Sequence, residues 1–179
     1  MLLFVHDLRF YEDNEGVLYC SSGLDTQYFD RFFDAGFDAV KILSRKGIKP
    51  LGSNISPIRN ENISLSRACL KKYWGLFNPF FYLSALKVLR RSQLVVISTP
   101  SVIGTFVTIV CWLIRQPYAV EVAGDGDAFL SKKGGWIISS FLNFMMPFFV
   151  RHAQGAAYVT NFLASKFPNK KTVVVASNV

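Results

Sequence analysis

The chain has 179 residues, of which 51% are hydrophobic and 15% aromatic, a composition that excludes a disordered protein and suits one domain with a full core. Its formal net charge is +8, and its longest apolar stretches, residues 100–114 and 135–150, are each about 15 residues long, short of the ~20 that a membrane-spanning helix needs. MLLFVHD at the N-terminus lacks the basic region of a signal peptide, and Cys20, Cys69 and Cys111 fit neither a disulfide framework nor a zinc site, so we predict a cytosolic protein with ordinary buried thiols.

The first elements alternate between strand and helix. Residues 2–6 (LLFVH) are an apolar run typical of a buried strand, and VLYCSSG (17–23) is a second short strand or the rim of a loop. A helix begins at Thr26, with Asp25 or Thr26 as its cap. It carries an aromatic stripe that predicts a core face: Tyr28, Phe29, Phe32, Phe33 and Phe37.

The basic middle of the chain is harder to assign. Residues 37–45 alternate apolar and polar residues and predict a strand, whereas the Gly, Pro, Ser and Asn of 46–63 predict a long loop. Residues 65–91 have helical character, which NPFF at 78–81 breaks or kinks.

The second half predicts a regular alternation of strand and helix. In order the elements are strand 93–99, helix 100–115, strand 117–124, helix 136–152, strand 155–160, helix 161–168 with Asn161 as its cap, and strand 171–179. Apolar runs joined by helices are typical of a parallel sheet covered on both faces. We therefore predict an α/β chain: a single Rossmann-like domain over residues 1–179, doubly wound, with a mostly parallel sheet and helices on both faces.

A ligand of such a sheet binds outside the carboxyl ends of its strands. That rule predicts one rim of candidate residues: His6, Asp7, Ser98, Thr99, Ala123 to Asp127, Thr160, Asn161, Ser177 and Asn178. The chain ends at Val179 directly after a strand, from which we expect it to be part of a longer protein.

Charge is concentrated in the middle of the chain. Residues 45–91 contain ten Lys and Arg against one acidic residue, which indicates an anionic partner, either nucleic acid or an anionic membrane surface, unless they form only a solvated face. The residues predicted to bind anions are Arg45, Lys46, Lys49, Lys71, Lys72, Arg90 and Arg91. Because no helix-turn-helix, zinc finger or RNP-like strand accompanies them, we do not expect nucleic acid as the partner.

No glycine fingerprint for a dinucleotide and no P-loop is present, which argues against a methyltransferase, a reductase or another Rossmann-like enzyme of the common nucleotide-binding kind. The loop Ser21, Ser22, Gly23 before the first helix is the nearest substitute, and it predicts either backbone amides presented to a phosphate or a tight turn.

The stretch PYAVEVAGDGD (117–127) combines freedom of the backbone with charge. Gly124 and Gly126 allow a ligand to approach closely, while Asp125 and Asp127 follow a strand and are candidates to bind hydroxyls or to act as a base. Two carboxylates undersupply a metal ion, so no metal is expected. Glu121 within the strand lies either at an exposed sheet edge or in a functional pair.

Three further features have a structural and a functional interpretation. His6 and His152 are lone histidines, more often structural than catalytic. For the helix of residues 136–152, the favoured interpretation is a core helix. The alternative is a partly exposed helix that contacts lipid and is flanked by basic residues.

The chain as a whole resembles the N-terminal half of a group 1 (family 4) glycosyltransferase of the GT-B fold, closest to bacterial enzymes of capsular or other surface polysaccharides. The resemblance rests on LLFVHDLRFYEDNEG, SSGLDTQYFDRFF before FDAVKILSR, PYAVEVAGD, and AAYVTNFLASKFP before VVVASNV. It implies a domain that binds the acceptor, with the nucleotide-sugar domain and its E-x7-E motif beyond Val179, so that this chain alone transfers no sugar.

The resemblance also implies roles for particular residues. Ser21 to Gly23 match a loop that approaches the donor phosphates, although the family has two adjacent glycines there. Many relatives have a His at the position of Ala123, and Asp125 or Asp127 would take over part of its role. The implied reaction transfers a hexose from a nucleotide sugar with retention of configuration and without a metal or other cofactor.

The implied acceptor is a sugar linked to polyprenyl diphosphate at the inner face of the plasma membrane. The basic middle of the chain would meet both the diphosphate and the anionic lipid, at about 1 kcal/mol for each Lys or Arg, and would hold the protein there as a peripheral protein. The alternative function is a non-catalytic, basic, Rossmann-like module that binds a membrane or nucleic acid.

Overall fold

The computed structural model describes residues 1–13, 15–20, 24–47, 55, 57–131 and 135–176. Within them the chain is a mixed α/β protein whose strands pair mostly in parallel, as the sequence predicts. It forms two compact units, Met1–Gln93 and Leu94–Val179.

The first unit has five strands in the order β4-β2-β1-β3-β5. They are β1 (Leu2–Glu12), β2 (Leu18–Cys20), β3 (Val40–Gly47), β4 (Pro57–Ile58) and β5 (Ile63–Leu65). The β1–β3 and β3–β5 pairs are parallel, whereas the β1–β2 and β2–β4 pairs are antiparallel. The helical elements are α1 (Thr26–Asp34), a 3-10 helix (Tyr73–Phe77) and α2 (Pro79–Leu89).

Helix α1 follows its sequence pattern. The Asp25 carboxylate accepts a hydrogen bond of 3.0 Å from the Tyr28 amide, so Asp25 is the cap. Phe29 and Phe32 are buried, and the Phe29 ring meets the Phe4 ring of β1 edge-on at 5.5 Å. The predicted aromatic core face is confirmed at these two residues.

Strand β1 is longer than its apolar run and contains a bulge. Val5 pairs with Leu43 of β3, but the next paired residue, Arg9, meets Arg45, so β1 has two more residues than β3 between the same ladder positions. The prediction that the strand ends at His6 is wrong, because pairing with β2 extends β1 through Glu12. His6 to Leu8 occupy the bulge instead.

Residues 66–77 are not an α-helix, which corrects the sequence prediction. The Ser66 amide donates to the Ile42 carbonyl and the Leu70 amide donates to the Ser44 carbonyl. These backbone amides therefore form hydrogen bonds with β3 rather than within a helix. Asn78 accepts a hydrogen bond of 3.0 Å from the Phe80 amide and caps α2. NPFF is therefore the start of a helix rather than a kink within one.

The second unit is a parallel βαβ array, with strands in the order β6-β7-β8-β9. Its elements are β6 (Leu94–Thr99), α3 (Val102–Ile114), β7 (Tyr118–Val122), a 3-10 helix (Gly126–Phe129), α4 (Gly135–His152), β8 (Gly155–Tyr158), α5 (Asn161–Lys166) and β9 (Thr172–Val175). The predicted alternation is confirmed here. The cap of α5 is Thr160 rather than Asn161, because the Thr160 hydroxyl accepts from the Leu163 amide at 3.2 Å.

Helix α4 packs on one side only. Leu142, Met146 and Phe149 are buried, while Trp136 and Phe144 are 67% and 79% exposed. The core interpretation of this helix thus holds for half of its surface. Pro147 lies within it. Across the described ranges, no helix combines the length and the apolar character needed to cross a membrane.

Candidate functional site

The carboxyl ends of β6, β7 and β8 lie at one edge of the second unit, because the three strands are parallel. This edge gathers the predicted rim residues of that unit. Ser98 and Thr99 are buried, whereas Ala123 is exposed and its amide donates to the Thr99 carbonyl at 2.9 Å. Thr160 and the exposed Asn161 follow β8 at the same edge. Ser177 and Asn178 lie outside the described residues.

Asp125 organises the loop after β7 and is paired with a lysine. Its Oδ1 accepts from the Asp127 amide at 3.1 Å and caps the short 3-10 helix. Its Oδ2 lies 2.6 Å from Nζ of Lys166, at the end of α5. The hydrogen bond from Lys166 lowers the pKa of the Asp125 carboxyl. Asp125 is therefore ionised at neutral pH and is a weaker base than an ordinary carboxylate, which suits hydrogen-bond acceptance rather than proton abstraction.

Asp127 is held by helix α4. Its Oδ1 accepts hydrogen bonds from the Ser139 hydroxyl at 2.9 Å and from Nδ2 of Asn143 at 2.8 Å. Oδ1 of Asn143 accepts from the Gly126 amide at 2.9 Å. Asn143 thus grips the loop with both atoms of its amide. Asp127 itself stays exposed.

The two glycines of the loop differ in their surroundings. A Cβ on Gly126 would lie 2.5 Å from the Ser139 carbonyl oxygen and 2.9 Å from Oδ1 of Asn143, so the missing side chain there lets the loop pack on α4. A Cβ on Gly124 would have Pro100 Cδ as its nearest neighbour, at an ordinary 3.5 Å. Of the two, Gly124 has the more open side.

The first unit has its own polar cluster, at the bulge of β1. Asp7 is only 6% exposed, and its Oδ2 accepts from the Tyr73 hydroxyl at 3.2 Å. Nε of Arg45 donates a hydrogen bond of 2.6 Å to the Asp7 carbonyl, which lies in the bulge. The Arg45 guanidinium lies 4.9 Å from the centre of the Tyr73 ring. Burial, followed by the charge of Asp7, raises the pKa of Tyr73, which therefore remains a hydrogen-bond donor.

His6 is neutral in this cluster. Its Nδ1 accepts a hydrogen bond of 2.9 Å from the Leu8 amide. Burial, and to a smaller extent the charge of Arg45, lowers the pKa of His6 to about 4. The contacts of His6 within the bulge are those of a structural histidine.

A polar surface pocket of about 420 Å³ lies in the first unit beside β3 and β5. Glu12, Lys46, Glu61 and Arg67 are among its lining residues, and Lys46 is ion-paired with Glu12. Lys46 thus already has an anionic partner within the chain.

The remaining predicted residues are dispersed. Glu121 is half-buried on β7, which pairs with β6 and β8, so the proposed exposed sheet edge is wrong. His152 is exposed, and its Nδ1 hydrogen-bonds the Phe148 carbonyl at 2.8 Å. Five of the predicted anion-binding residues are exposed: Lys46, Lys71, Lys72, Arg90 and Arg91. The predictions for Ser21, Ser22, Gly23 and Lys49 lie outside the described residues.

Sequence reasoning missed three residues that organise these clusters. Asn143 had a signal, since it interrupts an apolar helix, but nothing in the sequence connects it to residue 126. Lys166 is 41 residues from Asp125, and Tyr73 is 66 from Asp7. In the part of the chain that the structure covers, no three His, Cys, Asp or Glu side chains converge as a metal site would require.

Two known proteins are similar to this chain over nearly its whole length. Sucrose-phosphate synthase from Thermosynechococcus elongatus has the same fold, with a TM-score of 0.53 and 10% identity over 97% of this chain and 47% of that protein. The chain has the fold of a GT-B glycosyltransferase domain. Protein CapJ of Staphylococcus aureus is 30% identical over an alignment of 194 positions, which covers 99% of this chain and 47% of CapJ. The chain thus spans about half the length of each of these two proteins. No family model matches it.

Proposed function

We propose that this chain is the N-terminal, acceptor-binding half of a retaining glycosyltransferase that builds a capsular or other surface polysaccharide. The observation that carries the proposal is that 97% of the chain matches about half of a GT-B glycosyltransferase in fold. Its 30% identity to protein CapJ over 99% of the chain supports the same conclusion from sequence.

In this proposal the donor is a nucleotide sugar held by a second domain with the E-x7-E motif. The first domain supplies the carboxyl-terminal edge of β6, β7 and β8, where ligands of parallel sheets bind. Ala123 and Gly124 are the open positions of that edge. The ionised Asp125 carboxylate accepts hydrogen bonds from sugar hydroxyls, and Asp127 stabilises the loop from the side of α4.

The acceptor is a sugar linked to polyprenyl diphosphate, and the protein works as a peripheral protein at the inner face of the plasma membrane. The basic residues 45–91 support this part of the proposal, because they suit both a diphosphate and anionic lipid. The reaction needs no metal or cofactor, since the cations of the protein would neutralise the leaving nucleotide diphosphate.

The test is a sugar-transfer assay with the native-length protein, as it is produced in its own cell. It is incubated with single nucleotide sugars and a synthetic polyprenyl diphosphate-linked sugar, and the product is followed by mass spectrometry. We expect the acceptor to gain one hexose. NMR should show that the transferred sugar has the same anomeric configuration as in the donor, and EDTA should not reduce the yield. The 179-residue chain alone is the control and should bind acceptor without transferring sugar. A product of inverted configuration, or full activity of the chain alone, would contradict the proposal.

A further inference from the structure

Large apolar side chains stand out from the surface of the first unit along one short stretch. Trp74, Phe77, Phe80 and Leu83 are 79%, 77%, 71% and 55% exposed. The rings of Trp74 and Phe77 lie 5.8 Å apart between centroids. We call these four residues the aromatic ridge. Such a concentration of exposed aromatic area marks an interaction surface rather than scattered surface residues.

The ridge is held outward by a well-packed underside. Leu76 is 4% exposed and Phe81 5%, so buried residues separate the members of the ridge. Gly75 packs so closely on Leu70 that a Cβ would lie 2.6 Å from its Cδ2. Because the buried residues anchor the 3-10 helix and α2 to the rest of the first unit, the exposed rings are held in defined positions on its surface.

Cations flank the ridge along the chain. Along α2, at 3.6 residues per turn, Phe80, Leu83, Lys87 and Arg90 fall within an arc of about 80°, so one face of the helix is apolar at its start and basic at its end. Lys71 and Lys72 precede the ridge and are exposed. From residue 62 to residue 93 the sequence has six Lys and Arg and no acidic residue.

We propose that the aromatic ridge and these cations form the surface on which the protein docks to an anionic lipid bilayer. The four apolar side chains enter the boundary between headgroups and acyl chains, and the flanking Lys and Arg side chains contact lipid phosphates. The inference depends on the proposed function in one respect: the choice of a membrane as the partner follows from the membrane-linked acceptor proposed above.

The charges favour a bilayer over other occupants. A second copy of the chain docked symmetrically on the same surface would bring Lys71, Lys72, Lys87 and Arg90 against the same four cations. Single-stranded nucleic acid would use the rings as stacking platforms, but Leu83 continues the ridge along α2 and has no ring on which a base can stack. An anionic bilayer satisfies the cations and the apolar side chains together.

The first experiment locates the contact with tryptophan fluorescence. The chain has three tryptophans, of which Trp74 lies in the ridge and Trp112 and Trp136 are exposed in the second unit at 54% and 67%. Three proteins, each keeping one tryptophan and carrying Phe at the other two positions, are titrated with vesicles of phosphatidylglycerol and phosphatidylcholine. We expect a blue shift and protection from acrylamide for Trp74, and neither for Trp112 or Trp136.

The second experiment measures affinity with matched controls. Phe77→Ser should weaken vesicle binding about tenfold, while Phe144→Ser, at an equally exposed phenylalanine of α4, should change it less than about twofold. Lys71→Glu with Lys72→Glu should weaken binding more than about 25-fold, at roughly fivefold per lost cation, and Lys170→Glu with Lys171→Glu much less. Circular dichroism and the melting temperature should not change, because all the substituted side chains are exposed.

Several results would overturn the inference. A blue shift at Trp112 or Trp136 without one at Trp74 would move the contact to the second unit. Equal losses in both lysine pairs would reduce the effect to net charge. If Phe77→Ser abolished self-association or binding of single-stranded DNA while vesicle binding was unchanged, the ridge would belong to that other partner. All of these experiments measure binding and none measures transferase activity. If the expected binding were found in a protein that transfers no sugar, only the proposed function would be refuted.

Discussion

The ammonium group of Lys166 lies 2.6 Å from the carboxylate of Asp125 and joins α5 to the loop after β7. The two side chains are 34% and 21% exposed, so the pair is partly shielded from solvent. It fixes the start of the loop at the edge where the strands of the second unit end, and it gives that loop a dependence on pH.

Asp125→Asn should destabilise the protein at neutral pH and not in acid. The pKa of Asp125 is lower in the folded protein than in the unfolded chain, so its contribution is present above the unfolded pKa of about 4 and disappears as the pH falls through the folded value. We expect a loss of about 0.5 kcal/mol in the free energy of unfolding at pH 7 and none near pH 2, measured by urea denaturation. Asp38→Asn, at an exposed aspartate, is the control. An equal loss at both pH values would mean that the ion pair contributes nothing.

Gly126→Ala and Gly124→Ala should differ strongly although they are two residues apart. The added Cβ at 126 would meet the backbone of α4 at 2.5 Å, whereas at 124 it makes an ordinary contact at 3.5 Å. We expect Gly126→Ala to cost about 1–3 kcal/mol in the free energy of unfolding and Gly124→Ala less than about 0.5 kcal/mol. Weaker acceptor binding by the stable Gly124→Ala variant would place a ligand against the loop. Equal costs for the two variants would disprove the packing of Gly126 on α4.

His6 should make the protein less stable as the pH falls from about 6.5 to 4. Its pKa is lowered to about 4 in the folded state, so the unfolded chain takes up the proton first and gains stability over this window. The loss should reach up to about 3 kcal/mol at pH 4, with no further loss below it from this residue. His6→Asn, whose amide oxygen can still accept from the Leu8 amide, should lack this part of the pH dependence. His152→Asn should retain it, and if it does not, the histidine responsible is the wrong one.

Asp127→Asn separates a structural from a catalytic role in the native-length enzyme. One carboxylate oxygen accepts from both Ser139 and Asn143, so the substitution should cost about 1 kcal/mol of stability. If the carboxylate also contacts substrate, turnover should fall by far more than that loss explains at a temperature well below unfolding. Ser139→Ala removes one of the same hydrogen bonds without removing the charge and is the matched control. Unchanged turnover in Asp127→Asn would leave only the structural role.

The second unit follows from its sequence because its signals are local. Apolar runs such as LVVIST define β6, and Ser101 caps α3 through a hydrogen bond of 2.7 Å to the Gly104 amide, three residues away. Strands that are buried on both faces need no alternation of polar and apolar residues, so continuous apolar runs are sufficient to predict them.

The first unit departs from prediction where distant pairing decides the backbone. Phe10 extends β1 because it pairs with Cys20, and Ser66 is not helical because its amide donates to Ile42. The contact between Asp125 and Lys166 escaped prediction for the same reason: both are predictable as charged residues, but their pairing depends on how α5 follows β8. Local sequence patterns predict secondary-structure elements, whereas contacts between residues distant in sequence can be identified only once the fold is known.

Pro147 has a consequence for the loop that Asn143 grips. Proline has no amide proton, so in α4 the carbonyl of Asn143, four residues earlier, cannot receive its usual helical hydrogen bond. The helix is therefore most easily bent at the residue whose side chain holds Gly126 and Asp127. A bend of α4 at this point would shift the Asn143 side chain and, with it, the hydrogen bonds that hold Gly126 and Asp127.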